Sequence, residues 1–263
     1  MLVADTERVR VITFNRPESA NAFNERMYHN AAEALREAAG DDAVSVVVLT
    51  GAGRTFCGGT DLHEMAGAVP DGGSEPPTDA AGPGPGPESS RGFTTFVGAL
   101  STFPKPLLAA VNGAGVGLGL TMLAHCDIVM VSERARLLAP FTAMGVAPEA
   151  ASSYLLPRRM GRQHASHYLF ASEWISAQDA VDTGLALAVC DADQLMPETL
   201  ALAKQIASKS LPSLMATKRL LLESEREGIV RASELEGAAF AELLRLPNAR
   251  DGVLGQLSKE GSR

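Results

Sequence analysis

The chain has 263 residues, 46% of them hydrophobic, with a formal net charge of −8 and three cysteines. That length supports a large core in one main domain with a small appendage, and the acidic balance (pI about 5.2) argues against a nucleic-acid surface. The N-terminus MLVADTERVR has no signal-peptide core, no run of about 18 uncharged apolar residues suggests a membrane span, and Gly261-Ser262-Arg263 is not a peroxisomal address of the Ser-Lys-Leu type, so a cytoplasmic location is expected.

In chain order, alternation over 8–14 (RVRVITF) predicts a strand that Asn15-Arg16-Pro17-Glu18 breaks. A helix follows, with Asn24 as N-cap, Met27, Tyr28, Ala31, Leu35 and Ala38 at helical spacing, and Gly40 as its stop. The β-branched run 44–50 predicts a second strand. A turn then leads into Phe56-Cys57-Gly58-Gly59-Thr60-Asp61, where a backbone donor can be presented, and Asp61 reads as the cap of a helix starting at Leu62. Residues 67–92, GAVPDGGSEPPTDAAGPGPGPESSRG, are too rich in proline and glycine for a helix or a central strand, and predict a flexible surface loop.

A third strand, 107–111, runs into a turn carrying Gly113, Gly115, Gly117 and Gly119 and out again into an apolar helix. The bare positions would let a substrate approach the main chain, with the Leu118 amide as its donor, or would serve close packing of strand and helix. DIVMVS (127–132) continues an alternation that implies repeated ββα turns. A Rossmann sheet is disfavoured, because no GxGxxG follows the first strand and the later glycines lack an acidic partner at a strand end. Cys57, Cys126 and Cys190 sit in apolar stretches without metal-ligand spacing and read as reduced core residues, so no metal is expected. His125 reads as a core or interface histidine, and His164 and His167 belong to the helix after Gly161. Beyond residue 193 the pattern is helical, over 193–208, 212–227, 230–245 and 248–259. The expected division is a core over 1–192 and a C-terminal helical subdomain over 193–263, suited to oligomer contacts.

Five segments occur in a telling order: FNRPESANAFNERMY (14–28), GAGRTFCGGTDL (51–62), PKPLLAAVNGAGVGLGL (104–120), APFTAMGVAPEAASSYLLPRRMG (139–161) and ISAQDAVDTGLALAVC (175–190). Together they resemble the crotonase superfamily of enoyl-CoA hydratases and isomerases over nearly the whole chain. The resemblance implies an α/β crotonase fold of repeated ββα units and homotrimers or hexamers. It also implies a CoA thioester as substrate, with no metal or redox cofactor. Two oxyanion amides would belong to Thr60 and Leu118, backbone roles that any side chain tolerates. Bent CoA would run along Ala20, Ala22, Phe23, Gly58, Gly59, Asp61 and Leu62, with Gly117 and Phe141 at the acyl end. The lysine pair common near the CoA phosphates is replaced by Ser19-Ala20, so Lys259 or Arg263 could supply that contact across a subunit boundary. His63 could line the acyl channel, and the 67–92 loop would border it.

The two glutamate positions of the hydratases are Thr121 and Phe141 here, and neither side chain can activate water or protonate a carbon. Ordinary hydratase activity is therefore not expected. The pattern G-x-x-PE-x-x-SS over 145–153 resembles the peroxisomal-type Δ3-Δ2-enoyl-CoA isomerases, whose single catalytic glutamate would be Glu149. Flanked by Val146, Ala147, Pro148, Ala150 and Ala151, its carboxyl should be poorly solvated and its pKa raised. A carboxylate after Pro148 would also suit a helix N-terminus with no chemical role. Three other readings stay open: a hydratase using Glu149 and a further partner, a different crotonase reaction such as thioester hydrolysis, and a non-catalytic acyl-CoA binding protein.

Overall fold

The structure is a computed structural model, and it describes residues 1–61, 91–246 and 252. Leu62, His63, residues 67–90 of the Pro/Gly-rich segment, the helix expected at 248–259 apart from Gly252, Lys259 and Arg263 lie outside the described residues.

The long apolar runs become the central strands. A six-stranded sheet has the order β1 (Leu2–Thr6), β2 (Val9–Phe14), β3 (Val46–Gly51), β5 (Leu107–Val111), β7 (Ile128–Ser132), β10 (Ala188–Cys190), parallel throughout except for the β1–β2 hairpin. A smaller sheet joins β4 (Thr55–Cys57), β6 (Ala114–Val116), β8 (Arg136–Leu138) and β9 (Trp174–Ser176), with only the β8–β9 pair antiparallel. Each of the consecutive pairs β3–β4, β5–β6 and β7–β8 thus leaves one strand in the large sheet and one in the small sheet. The helices that follow these pairs are α2 (Arg91–Ser101), α3 (Leu118–Thr121) and α4 (Ser152–Ala171), while α1 (Glu25–Gly40) follows β2. This is the repeated ββα turn that the sequence implies. Arg91 and Gly92, read as the end of the loop, instead open α2, where Phe96, Val97 and Leu100 recur at helical spacing and are buried.

Period-two alternation sorts the large sheet's side chains onto two faces. Val47, Leu49, Leu107, Ala109 and Val129 join the main core, whereas Val46, Val48, Leu108, Ala110 and Met130 form a second one. Leu195, Ala203 and Ala207 of α6 (Leu195–Ala207) close the second core. In the main core, α1 buries Met27, Tyr28, Ala31, Leu35 and Ala38, and Asn24 caps it by accepting from the Met27 amide at 2.9 Å. Phe14, Phe23, Tyr28 and Phe96 pack ring on ring there, with centroids 5.0–6.2 Å apart. Each such ring removed from water contributes about 1.5–3 kcal/mol.

The later helices are α5 (Ala177–Asp182), α7 (Leu211–Glu223) and α8 (Arg226–Leu243). Buried Lys218 of α7 pairs with Asp127 at 2.6 Å, and Asp127 also accepts from the Leu107 amide, which fastens α7 to the start of β5. The three cysteines are free and buried. No helix among the described residues is long and apolar enough to cross a membrane.

Candidate active site

Three neighbouring strands of the smaller sheet assemble the site. β4 and β6 run parallel, with Thr55 beside Ala114 and Cys57 beside Gly115, and β8 continues parallel on β6. Parallel neighbours release their chains at the same end, so the segments after Cys57, Val116 and Leu138 leave the sheet side by side. Those segments carry Thr60, Leu118 and Glu149.

Thr60 makes one parallel bridge to Phe23, in which the Phe23 amide donates to the Gly59 carbonyl at 2.7 Å and the Asp61 amide to the Phe23 carbonyl at 2.8 Å. That pattern turns the Thr60 N–H away from Phe23. Leu118 opens α3, so its N–H lacks an intrahelical acceptor. No hydrogen bond among the described residues uses either amide. The place a Cβ on Gly59 would take is 3.9 Å from the Leu118 nitrogen, which sets the two turns against each other. Gly117, at φ 53° and ψ −113°, occupies backbone space open to glycine, and Oε1 of Glu149 lies 3.9 Å from where its Cβ would stand. The carboxyl of Glu149 therefore abuts the turn that presents the Leu118 amide.

Of the two roles open to the glycine cluster, packing holds for three of its members. A Cβ at Gly113 would strike the Arg54 carbonyl, one at Gly115 the Leu137 side chain and one at Gly119 the Cys57 carbonyl. These three glycines let the protein pack closely on their main chain, and the space a Cβ would take is filled by the protein itself; Gly117 is the member of the cluster that borders Glu149.

The residues expected along CoA come together as a backbone layer. The Gly58 amide donates to the Ala20 carbonyl at 2.9 Å, Phe23 lies alongside Thr60, and the Ala22 carbonyl accepts from Arg16 at 2.7 Å. Arg16 also pairs with Asp61 at 3.2 Å. Phe23 is fully buried with both backbone groups in use. Asn21 was not singled out in the sequence, yet its buried amide accepts from the Arg16 N–H and donates to the carbonyls of Ala52 and Thr55, tying the layer down. Ala20 and Asn21, with φ of 50° and 57°, make the tight turn there. Phe141 is buried in the main core, and the buried Thr121 hydroxyl has no partner among the described residues.

Desolvation raises the pKa of Glu149 to about 8, with the nearby Glu236 carboxylate adding to the effect. The residue as a whole keeps part of its surface exposed, while its carboxyl is enclosed. Tyr28, whose hydroxyl meets Thr60 Oγ1 at 2.8 Å, is pushed well above 10 by burial and by the charge of Glu149. Burial lifts Cys57 to about 12, and drops His125 to about 4, keeping it neutral with Nε2 2.8 Å from the Ala150 carbonyl. His125 is thus the satisfied core histidine expected, and His164 and His167 lie exposed on α4. Glu236, on α8, escaped the sequence reading: it is 6% exposed and accepts from the Ala151 and Ser153 amides, both at 2.7 Å. Among the described residues, no group of three or more His, Cys, Asp or Glu side chains could hold a metal ion.

A spiral of ββα turns that leads two free amides and one enclosed carboxyl to the same strand ends is the framework of a crotonase-fold enzyme. The chain belongs to the enoyl-CoA hydratase/isomerase family, whose sequence profile matches residues 5–260. It is 35% identical to enoyl-CoA delta isomerase 2 of Rattus norvegicus over 90% of its own length and 58% of that protein. It is 32% identical to 2,3-dehydroadipyl-CoA hydratase of Escherichia coli, over 98% of this chain and 96% of the relative. Among solved structures, an enoyl-CoA hydratase/isomerase from Pseudoalteromonas atlantica superposes with a TM-score of 0.86 at 35% identity, covering 98% of this chain and 96% of that one.

Proposed function

We propose that this protein is a Δ3-Δ2-enoyl-CoA isomerase, moving the double bond of a 3-enoyl-CoA to the 2-trans position. The observation that carries the reading is the placement of the Glu149 carboxyl against the Gly117–Leu118 turn, while the positions of the hydratase acids hold Thr121 and Phe141. In this mechanism the Thr60 and Leu118 amides hold the thioester oxygen, each worth about 3 kcal/mol in the transition state. The Glu149 carboxylate takes a proton from C2, and the electron pair of that C–H bond flows into the thioester to give a dienolate. The new carboxylic acid returns the proton to C4, leaving the double bond between C2 and C3. One base serves both carbons, because both can lie on one face within its reach. A pKa near 8 suits a group that must hold the proton briefly and then release it.

Homotrimers or hexamers fit the same reading. Leu220 and Leu221 on α7 and Leu235 on α8 are 70%, 59% and 60% exposed, apolar area that a second copy would cover.

Hydration of a 2-enoyl-CoA is the second reading, favoured by the likeness to an E. coli hydratase. Turnover of 3-hexenoyl-CoA and longer homologues beside 2-hexenoyl-CoA separates the two. Isomerisation is expected to be at least about a hundredfold faster, the general acid–base contribution a second group would make. Comparable rates would overturn the isomerase assignment.

A further inference from the structure

Glu149 does not sit on regular structure. The two residues after it, Ala150 and Ala151, both take left-handed backbone conformations, with φ of 59° and 56°, before α4 begins at Ser152. Two successive alanines there are strained, and such a turn persists only where the surroundings over-determine it. No side chain of the segment caps the helix either, since Ala151 stands at the N-cap with nothing to offer. The missing acceptor comes from α8, far along the chain. Oε2 of Glu236 accepts from the Ala151 amide and Oε1 from the Ser153 amide, both at 2.7 Å. The opposite side of the same turn is held by His125, through the Ala150 carbonyl.

We infer that Glu236 is a positioning residue for Glu149: it clamps the left-handed turn at Ala150 and Ala151 from α8 and so fixes the aim of the Glu149 carboxyl at the Gly117–Leu118 turn. This rests on the reading of Glu149 as the base. The pair also divides its labour electrostatically. Desolvation raises the pKa of both carboxyls, but both oxygens of Glu236 receive N–H donors that oppose the rise, while Glu149 has no such support among the described residues and carries the proton more readily. A fixed negative charge beside a proton-holding carboxyl strengthens the latter as a base.

The test compares Glu236→Gln, Glu236→Asp, Glu149→Gln and the parent full chain on 3-hexenoyl-CoA from pH 6 to 9.5. Glu236→Gln should lower kcat about tenfold or more with KM within twofold, because misaiming a reacting group is costly. It should also move the acid limb of kcat/KM to lower pH, because Glu149 loses its charged neighbour. Among the described residues, the other titratable groups facing this turn are Tyr28 and Cys57, which titrate above that range, and His125, which titrates below it; a limb that persists in His63→Gln reports Glu149. Glu236→Asp keeps the charge but is too short for both bonds, so kcat should fall with the limb unmoved; it carries the test if the Gln variant does not fold. A role confined to fold stability would lower the melting temperature and leave the pH profile in place. If Glu149→Gln is inactive while folded Glu236 variants keep the parent kcat and profile, the positioning role is overturned. If Glu149→Gln itself still isomerises, the assignment of the base fails, whatever Glu236 does.

Discussion

Removing the Glu149 carboxyl should stabilise the ligand-free protein, increasingly so as pH rises toward about 8. Its pKa rises from 4.5 to about 8 on folding, so between those values the unfolded chain has released its proton and the folded chain keeps it. Stability therefore falls as pH climbs through that window and levels off above about 8. The full difference corresponds to at most ~5 kcal/mol at about 1.4 kcal/mol per pH unit. From pH 5.5 to 8.5 the share is ~3 kcal/mol, and solvent reaching a partly exposed residue reduces it to ~1–2 kcal/mol. Glu149→Gln is neutral throughout, so its advantage over the parent should grow from pH 5.5 to pH 8.5 by roughly 3–6 °C in melting temperature, for a chain of this size. Calorimetry or fluorescence melts at both pH values, at one protein concentration, read the effect. An advantage of equal size at both pH values would refute the reasoning, because the carboxyl would then carry no desolvation cost tied to its ionisation.

On the catalytic side, Glu149→Gln should lower isomerisation by roughly 10² to 10⁴ while acyl-CoA affinity, read by calorimetry, stays nearly unchanged; Thr121→Ala should cost little. Retention of more than about a tenth of parent activity would remove Glu149 from the role of base. Asn21→Ala strips three hydrogen bonds from a fully buried side chain and leaves the Arg16 amide and the carbonyls of Ala52 and Thr55 unserved. A loss of about 2–4 kcal/mol in urea unfolding is expected, and a loss under 1 kcal/mol would mean that water replaces the side chain easily.

Four strands of the large sheet were legible, β2 through its alternation and β3, β5 and β7 through runs of five or six residues such as VVVLTG and LLAAV; the exposed β1 and the three-residue β10 were not. Strands β4, β6, β8 and β9 have three residues each, too few for any periodicity, so the smaller sheet that assembles the site had to come from the structure. Among the C-terminal helices, the one expected over 230–245 begins four residues earlier, at Arg226, because no strong capping residue marks its start. Glu149 was legible through the Pro-Glu pair and its apolar neighbours. Glu236 was not, since it lies among ordinary acidic residues of an amphipathic helix, and only tertiary packing carries it to the turn after Glu149. The glycine cluster left two readings open, because a sequence shows that side chains are missing but not whether substrate or main chain fills the space.

Because β4 and β6 lie side by side in parallel, the chain geometry itself delivers the Thr60 and Leu118 amides to one place. A backbone N–H survives every substitution except proline. If these amides hold the thioester as proposed, side chains at the two positions can drift without disabling that grip, while the groups that move protons around it can be exchanged one at a time. A scaffold wired in this way can change its reaction by point mutation and still grip the same thioester, so diversity of chemistry among its relatives is a property of the strand order.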